Sequence, residues 1–161
     1  MGARAIWSKI YPFLPAGVWY AVIFRFSAQT GSSSSATSDR FLHWLLDGPF
    51  PFLWSEEQGG AVLAALTFCV RKGAHMGIYF VLTGLLLLGV WRLMSSPVRR
   101  AAAAAVLCAL LAGLDELHQT FVPGRSGQLR DVFIDMVGSV CFLLLWGAIY
   151  RLRNKRRKKM K

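Results

Sequence analysis

The sequence predicts an all-α integral membrane protein, a bundle of four transmembrane helices. Of its 161 residues, 55% are hydrophobic and only 17% are charged, whereas a soluble domain carries about 25% charged residues. Four long apolar runs cover residues 10–24, 73–91, 101–114 and 132–150. A bilayer core about 30 Å thick needs about 20 helical residues. The second and fourth runs supply that length directly, and the other two reach it with flanking polar residues.

The composition also excludes other classes of protein. A chain this apolar is not disordered, and its three cysteines are too few for a disulfide scaffold. The length allows one domain rather than two. We therefore predict a single transmembrane domain over residues 1–150 and a basic cytoplasmic tail over residues 151–161.

The distribution of charge predicts the topology. Residues 1–9, 92–100 and the segment after 150 carry most of the 19 lysines and arginines, and the eight acids lie elsewhere. The positive-inside rule then places both termini in the cytoplasm of a multi-pass cell-membrane protein. The tail is interpreted as a topology anchor that touches anionic lipid, so we expect membrane lipids as partners and no nucleic acid.

The first apolar run resembles a cleavable signal peptide in its basic start. Arg25 follows it directly, however, and no small-x-small cleavage site precedes Arg25. We interpret the run as a retained helix that is bent at Pro12 and Pro15.

The first extracytoplasmic loop is long, about residues 27–71. Its Gly/Ser-rich part, residues 31–38, is predicted to be flexible. Residues 39–46 form an interfacial amphipathic segment on the membrane surface, since their apolar side chains share one helical face. Ser55 and Gln58 have the spacing of a capping box that opens another helix. That helix, residues 60–70, is too short to span and either packs at the interface or runs into the second span.

Ionisable and polar side chains collect at the outer ends of the predicted spans. Lys72, His75 and Tyr79 share one helical face, as do Asp115, His118 and Gln119, while Glu116 points about 100° away from Asp115. Such groups cost several kcal/mol in hydrocarbon unless paired or wetted, so we expect them to meet in one outward-facing polar site. The catalytic candidates are His75, Asp115, Glu116 and His118; the ligand-binding candidates are Arg25, Lys72, Tyr79, Gln119, Arg125, Asp131 and Asp135.

Structural explanations compete with these roles. Asp131 and Asp135 could pair with Arg125, Arg130 or Lys72 and thereby hold helices together, and His75 could be a satisfied interface histidine. We expect close helix approach at residues 73–77, with the Gly-x-x-x-Gly pattern, and at Gly138. No cluster has the spacing of a known metal site, so neither a metal nor a cofactor is predicted.

Three motifs resemble the VanZ-like family of bacterial membrane proteins. They are Lys72-x-x-His75-x-x-x-Tyr79, the run Asp115-Glu116-x-His118-Gln119-x-Phe121-x-Pro123-x-Arg125, and Asp131-Val132-x-x-Asp135-x-x-Gly138. Residues 26–29 resemble the serine-containing segment that closes the first helix of that family. The resemblance implies four spanning helices and a link to teicoplanin resistance, and it assigns no biochemical activity. At Asp135 this chain departs from the family, which often has asparagine there.

Three functions remain open at this point. The leading hypothesis is recognition of an anionic amphiphile, a lipid-linked cell-wall precursor or a lipoglycopeptide such as teicoplanin, because Arg125 and Lys72 suit phosphate or carboxylate groups. The second is an enzyme that acts on a lipid phosphate by His/Glu acid–base chemistry. The third is a structural subunit that binds a partner and whose charges pair only with one another.

Overall fold

The computed structural model describes residues 2–49 and 59–160, and within these ranges it contains helices and no strand. The all-α prediction is therefore confirmed. The helices are α1 (Ala3–Ile10), α2 (Leu14–Ser27), α3 (Gly31–Asp47), α4 (Gly59–Val90), α5 (Pro97–Gln119) and α6 (Leu129–Lys159), with a 3₁₀ turn at Tyr11–Phe13.

Three of the described helices are long and apolar enough to cross a membrane: Gly60–Val90, Pro97–Gln119 and Leu129–Lys159. The predicted first span is instead a broken helix made of α1, the 3₁₀ turn and α2. Pro12 and Pro15 occupy the first turns of the 3₁₀ segment and of α2, where the missing N–H of proline costs no helical hydrogen bond. With 14 residues, α2 alone is about 21 Å long.

Helix α2 packs against α4 and α5. The Trp19 indole N–H donates to the Ile78 carbonyl oxygen at 2.9 Å, and the Tyr20 hydroxyl donates to the Leu111 carbonyl oxygen at 3.1 Å. Ile23 is buried on the same side of the helix. These contacts fix the end of α2, and with it Ser27, beside the ends of the other helices.

The segment expected to be flexible, residues 31–38, is the first half of α3, so that prediction is wrong. Thr30 caps the helix by accepting a hydrogen bond from the Ser33 backbone N–H at 3.4 Å, as threonine does at helix N-termini. The Gly31 backbone N–H donates to the Pro123 carbonyl oxygen at 3.2 Å. A cap and a tertiary contact thus stabilise a helix that its serine-rich composition does not favour.

The amphipathic second half of α3 packs on α4 through Leu42 and Leu46, which are buried. The Thr67 hydroxyl of α4 also donates to Asp39 at 3.0 Å. Residues 60–70 run straight into the second predicted span as one continuous helix. The predicted capping box at Ser55 and Gln58 lies outside the described residues, and the membrane-surface position of residues 39–46 stays a prediction.

Helices α4 and α6 approach each other closely at Gly138. A Cβ atom there would overlap the Met76 carbonyl oxygen, so the prediction for this glycine is confirmed. It is wrong for Gly73 and Gly77, where an added Cβ would meet open space. The core between α4, α5 and α6 is built from Leu82, Leu86, Cys108 and Ala112 together with Tyr79, Ile23 and other buried side chains.

The antiparallel order of α4, α5 and α6 separates two ends of the bundle. Lys72, Gln119 and Asp131 lie at one end. At the other, the Arg92 side chain contacts the Tyr11 hydroxyl of the N-terminal segment, and the Arg100 guanidinium lies 4.1 Å from the centre of the Trp91 ring. The basic residues after 150 continue α6 as a helix to Lys159.

Candidate functional site

A polar cleft of about 320 Å³ opens at the end of the bundle where α2 and α5 finish and α6 begins. Four parts of the chain form it: the start of α3, the middle of α4, the last residue of α5 with the following loop, and the start of α6. The lining residues are Gly31, Ser32, Ser34, Ser35, Arg71, Lys72, His75, Gln119, Gly124, Arg125, Ser126, Gln128 and Asp131.

Lys72 and Asp131 form an ion pair across the cleft wall, with the ammonium nitrogen 2.6 Å from a carboxylate oxygen. Their side chains are 13% and 19% exposed, so the pair is largely shielded from water. The Arg130 Nε lies 3.9 Å from the other oxygen of Asp131. Of the partners expected for Asp131, the structure therefore selects Lys72 and Arg130 rather than Arg125.

Arg125 is held over the cleft by the tight loop between α5 and α6. Gly124 has a φ of +72°, a conformation that glycine adopts without strain, and a Cβ atom at Gly31 would overlap the Gly124 carbonyl oxygen. The Arg125 guanidinium donates to the Phe26 carbonyl oxygen at 3.4 Å. Burial lowers the pKa of Arg125, and the guanidinium remains a cation at neutral pH.

His75 connects the cleft to a fully buried carboxylate. Its Nδ1 lies 3.3 Å from an oxygen of Asp135, and the His75 side chain is 22% exposed while that of Asp135 is 1% exposed. The two groups are at ion-pair distance without hydrogen-bond geometry, since neither Asp135 oxygen has a hydrogen-bond partner in the described chain. A buried, unsatisfied carboxylate is costly, and His75 is the ionisable group that lies at ion-pair distance from it.

Beneath the cleft, Asp115 joins α5 to α2. One oxygen accepts hydrogen bonds from the Ser27 hydroxyl at 2.7 Å and from the Gln119 amide at 3.1 Å. Asp115 is completely buried. Both neighbours therefore donate to the same oxygen, and this buried contact ties the end of α5 to the end of α2.

Glu116 points away from Asp115, as the helical geometry predicts. Its carboxylate accepts a hydrogen bond from the Gln128 backbone N–H at 2.8 Å, at the residue that precedes α6. A Cβ atom at Gly127 would overlap the Glu116 carbonyl oxygen, which shows how closely the loop lies on the end of α5. Glu116 therefore fixes the loop that carries Arg125.

The structure divides the predicted site residues into three groups. Those that line the cleft are His75, Lys72, Gln119, Arg125 and Asp131. Those that lie buried nearby and do not line it are Tyr79, Asp115, Glu116 and Asp135. The last group, His118 and Arg25, lies elsewhere: the His118 ring stacks on Phe24 at 4.1 Å, and Arg25 is exposed on α2.

The predicted common pocket therefore contains part of the predicted set of site residues. Among the catalytic candidates, His75 alone borders the cleft in the described structure. Tyr79 is fully buried with a hydroxyl that has no hydrogen-bond partner among the described residues. The His118 ring packs on Phe24 between α2 and α5 and does not line the cleft.

Several cleft residues were missed in the sequence. Arg71, which precedes Lys72, was not among the predicted site residues. The serines at the start of α3 were assigned to a flexible linker, although the Thr30 cap signal was present in the sequence. Ser27 was noted only through the family resemblance, because a lone serine at a helix end has no distinguishing pattern.

No metal site emerges from the described part of the chain. It contains no group of three or more histidine, cysteine, aspartate or glutamate side chains placed to hold an ion.

The comparisons with known proteins identify the family. Neither the curated proteins nor the solved structures gave a match. The VanZ/LLP1 family model matches residues 13–150, a range that includes the cleft, the buried carboxylates, all of α4 and α5, and α6 as far as residue 150. The chain therefore belongs to the VanZ/LLP1 family.

Proposed function

We propose that this VanZ-like protein of the bacterial cell envelope recognises the anionic headgroup of an amphiphile in the cleft. A lipid-linked cell-wall precursor or a lipoglycopeptide such as teicoplanin has the required chemistry, and binding it would connect the protein to glycopeptide resistance. The observation that carries this proposal is the concentration of Arg71, Lys72 and Arg125 in the wall of one small cleft.

The charges of the cleft are not balanced internally. Asp131 is paired with Lys72, and within the described residues no carboxylate lies at ion-pair distance from Arg71 or Arg125. Burial lowers the pKa of Arg125, the Asp115 carboxylate raises it, and the positive charge of Arg71 is the next influence and lowers it. The two guanidinium groups therefore repel one another, and a phosphate or carboxylate between them would relieve that repulsion.

The start of α3 adds hydrogen-bond donors. Ser32, Ser34 and Ser35 lie in the first turns of this helix and line the same cleft as the cations. Their hydroxyl groups, and the partial positive charge of a helix N-terminus, are suited to anionic oxygen atoms. A bound headgroup would therefore meet hydroxyl donors as well as cations.

The proposal includes an orientation for the protein. The broken helix formed by α1, the 3₁₀ turn and α2 would serve as the fourth span, since exposed apolar side chains such as Leu14, Val18 and Val22 suit contact with lipid. The basic end of the bundle would face the cytoplasm, which places both termini there and opens the cleft outward.

The test is a binding measurement on purified protein in neutral-lipid nanodiscs. Inorganic phosphate, a polyprenyl phosphate and teicoplanin are each titrated onto wild type and onto Arg125→Ala. Loss of a charge-assisted contact of about 1.5–3 kcal/mol weakens binding about tenfold to a hundredfold.

Arg25→Ala is the matched control, because it removes an exposed arginine that does not line the cleft. It should bind all three probes like the wild type. Equal affinities of wild type and Arg125→Ala for every probe, with both proteins folded to the same helical content, would refute recognition by this cleft.

The His75–Asp135 pair favours a second function, hydrolysis of a lipid phosphate. A histidine next to a buried carboxylate and beside a cationic cleft has the composition of an acid–base site. Phosphate release from a panel of lipid phosphates, abolished in His75→Ala and retained in a His118→Ala control, would establish the enzyme. Absence of release across the panel would leave binding as the function.

A further inference from the structure

An apolar groove adjoins the cleft. It has a volume of about 340 Å³ and lies between α2, α3 and α4. Its apolar wall is formed by Ile23, Phe26, Phe41, Val70, Ala74 and Ile78. The groove and the cleft share four wall residues, namely Ser34, Arg71, His75 and Arg125. Arg71 and Arg125 therefore border both the apolar groove and the polar cleft.

Helices α2 and α4, which both line the groove, are joined by a hydrogen bond next to its wall. The Trp19 indole N–H donates to the Ile78 carbonyl oxygen at 2.9 Å, and Ile23 beside it is 1% exposed. Between Arg71 and Ile78 the α4 axis rises about 10 Å. The groove thus has apolar walls along α2 and α4 and is bordered by Arg71 and Arg125 where it adjoins the cleft.

Building on the proposed function, we infer that the groove holds the first part of the alkyl chain of a membrane lipid whose phosphate headgroup binds in the cleft. The shared arginines require the occupant to carry an anion next to its apolar part. The cleft, at about 320 Å³, is at the small end of the roughly 300–1,000 Å³ range of ligand pockets. That size suits a phosphate or diphosphate rather than a glycopeptide.

The groove determines where the alkyl chain of the lipid lies and adds little to the binding affinity. A chain that leaves lipid for an apolar groove gains little, because lipid tails are as apolar as leucine side chains. The arginines supply the attraction, and the groove sets the direction in which the chain leaves the headgroup. The location of the chain, rather than the dependence of affinity on chain length, is therefore the property to measure.

The experiment is photolabelling of the full-length protein in neutral-lipid nanodiscs. Dodecyl phosphate with a diazirine in the first half of its chain is the probe, and the equivalent dodecanol is the uncharged control. Labelled peptides are located by mass spectrometry. We expect the phosphate probe to label the α2, α3 and α4 segments that line the groove, and unlabelled dodecyl phosphate to compete.

A groove-filling variant and a matched control sharpen the test. Ala74→Phe fills the groove, and we expect roughly tenfold less labelling there, since an over-packed site excludes its occupant. Ala65→Phe places the same ring on the opposite face of α4, nine residues and about 180° away, and should label like the wild type. Inorganic phosphate should bind both variants as it binds the wild type.

Three results would overturn the inference: equal labelling by dodecyl phosphate and dodecanol, labelling spread over lipid-facing surfaces without competition, or displacement by teicoplanin and not by dodecyl phosphate. In each case wild-type binding of inorganic phosphate, abolished in Arg125→Ala, would leave the proposed headgroup site standing. Absence of phosphate binding to the wild type would refute both this inference and the proposed function.

Discussion

Ser27→Ala tests a buried polar contact between α2 and α5. The Ser27 hydroxyl is one of two donors to the same oxygen of Asp115, at 2.7 Å, and the Gln119 amide at 3.1 Å is the other. Ser27 is 3% exposed and Asp115 is completely buried, so water does not replace the lost donor. The substitution removes a single oxygen atom and leaves the methylene group in place, which keeps the change in packing small.

The expected cost follows from the charge of the acceptor. A hydrogen bond to a charged group contributes about 1.5–3 kcal/mol to stability, against about 0.5–1.5 kcal/mol for a neutral pair. We expect Ser27→Ala to lower the free energy of unfolding by about 1.5–3 kcal/mol in wild type. In an Asp115→Asn background the same substitution should cost about 0.5–1.5 kcal/mol.

The assay is reversible unfolding in mixed detergent micelles, followed by far-UV circular dichroism for the two single variants and the double variant. The difference between the two backgrounds gives the coupling energy of Ser27 with the Asp115 charge. Ser32→Ala, on the exposed first turn of α3, is the control and should change stability by less than about 0.5 kcal/mol. A Ser27→Ala cost below that value, or an equal cost in both backgrounds, would refute a charged, serine-bonded Asp115.

Two further predictions concern glycines at close contacts. Gly138→Ala should destabilise the protein by about 1–3 kcal/mol in the same unfolding assay, because the added Cβ would overlap the Met76 carbonyl oxygen. The control, Gly77→Ala, places its Cβ in open space and should be neutral or stabilise the protein by about 0.5–1 kcal/mol. Equal effects of the two substitutions would contradict the close contact at Gly138. Gly31→Ala should weaken phosphate binding in the nanodisc assay, because its Cβ would overlap the Gly124 carbonyl oxygen and displace the α5–α6 loop; unchanged affinity would show that the loop position does not matter.

Helical periodicity was a sound guide along α4. The spacing of Lys72, His75 and Tyr79 predicted one common face, and two of these side chains do meet carboxylates of α6. That inference depends on the regular geometry of a single helix, which a sequence encodes locally. The divergence of Asp115 and Glu116 was predictable for the same reason.

Contacts between elements explain what the sequence did not predict. Serine-rich residues 31–38 have weak intrinsic helix preference, and α3 forms because Thr30 caps it and Gly31 docks on Pro123. The pattern at Gly73 and Gly77 resembled a helix-packing motif, yet that face meets open space. Which face of a helix meets a neighbour depends on how the whole bundle packs, and a local pattern does not contain that information.

The buried carboxylates explain how a cationic cleft can persist without neutralising itself. Burial disfavours the charge of Arg125, and the negative charges of Asp115 and Glu116 act in the opposite direction. Neither carboxylate lines the cleft, because Ser27 and Gln119 engage Asp115 and the start of α6 engages Glu116. They can therefore stabilise the guanidinium from behind while its front stays open to an anion.

Asp131 has the opposite arrangement, since it lines the cleft and pairs with Lys72 at 2.6 Å. An incoming phosphate would have to compete with that carboxylate for Lys72, whereas no such competitor stands at ion-pair distance from Arg71 or Arg125 in the described chain. The two arginines are thus the first groups available to a headgroup. Because both also border the apolar groove, an anion held between them would have its attached chain directed between α2 and α4.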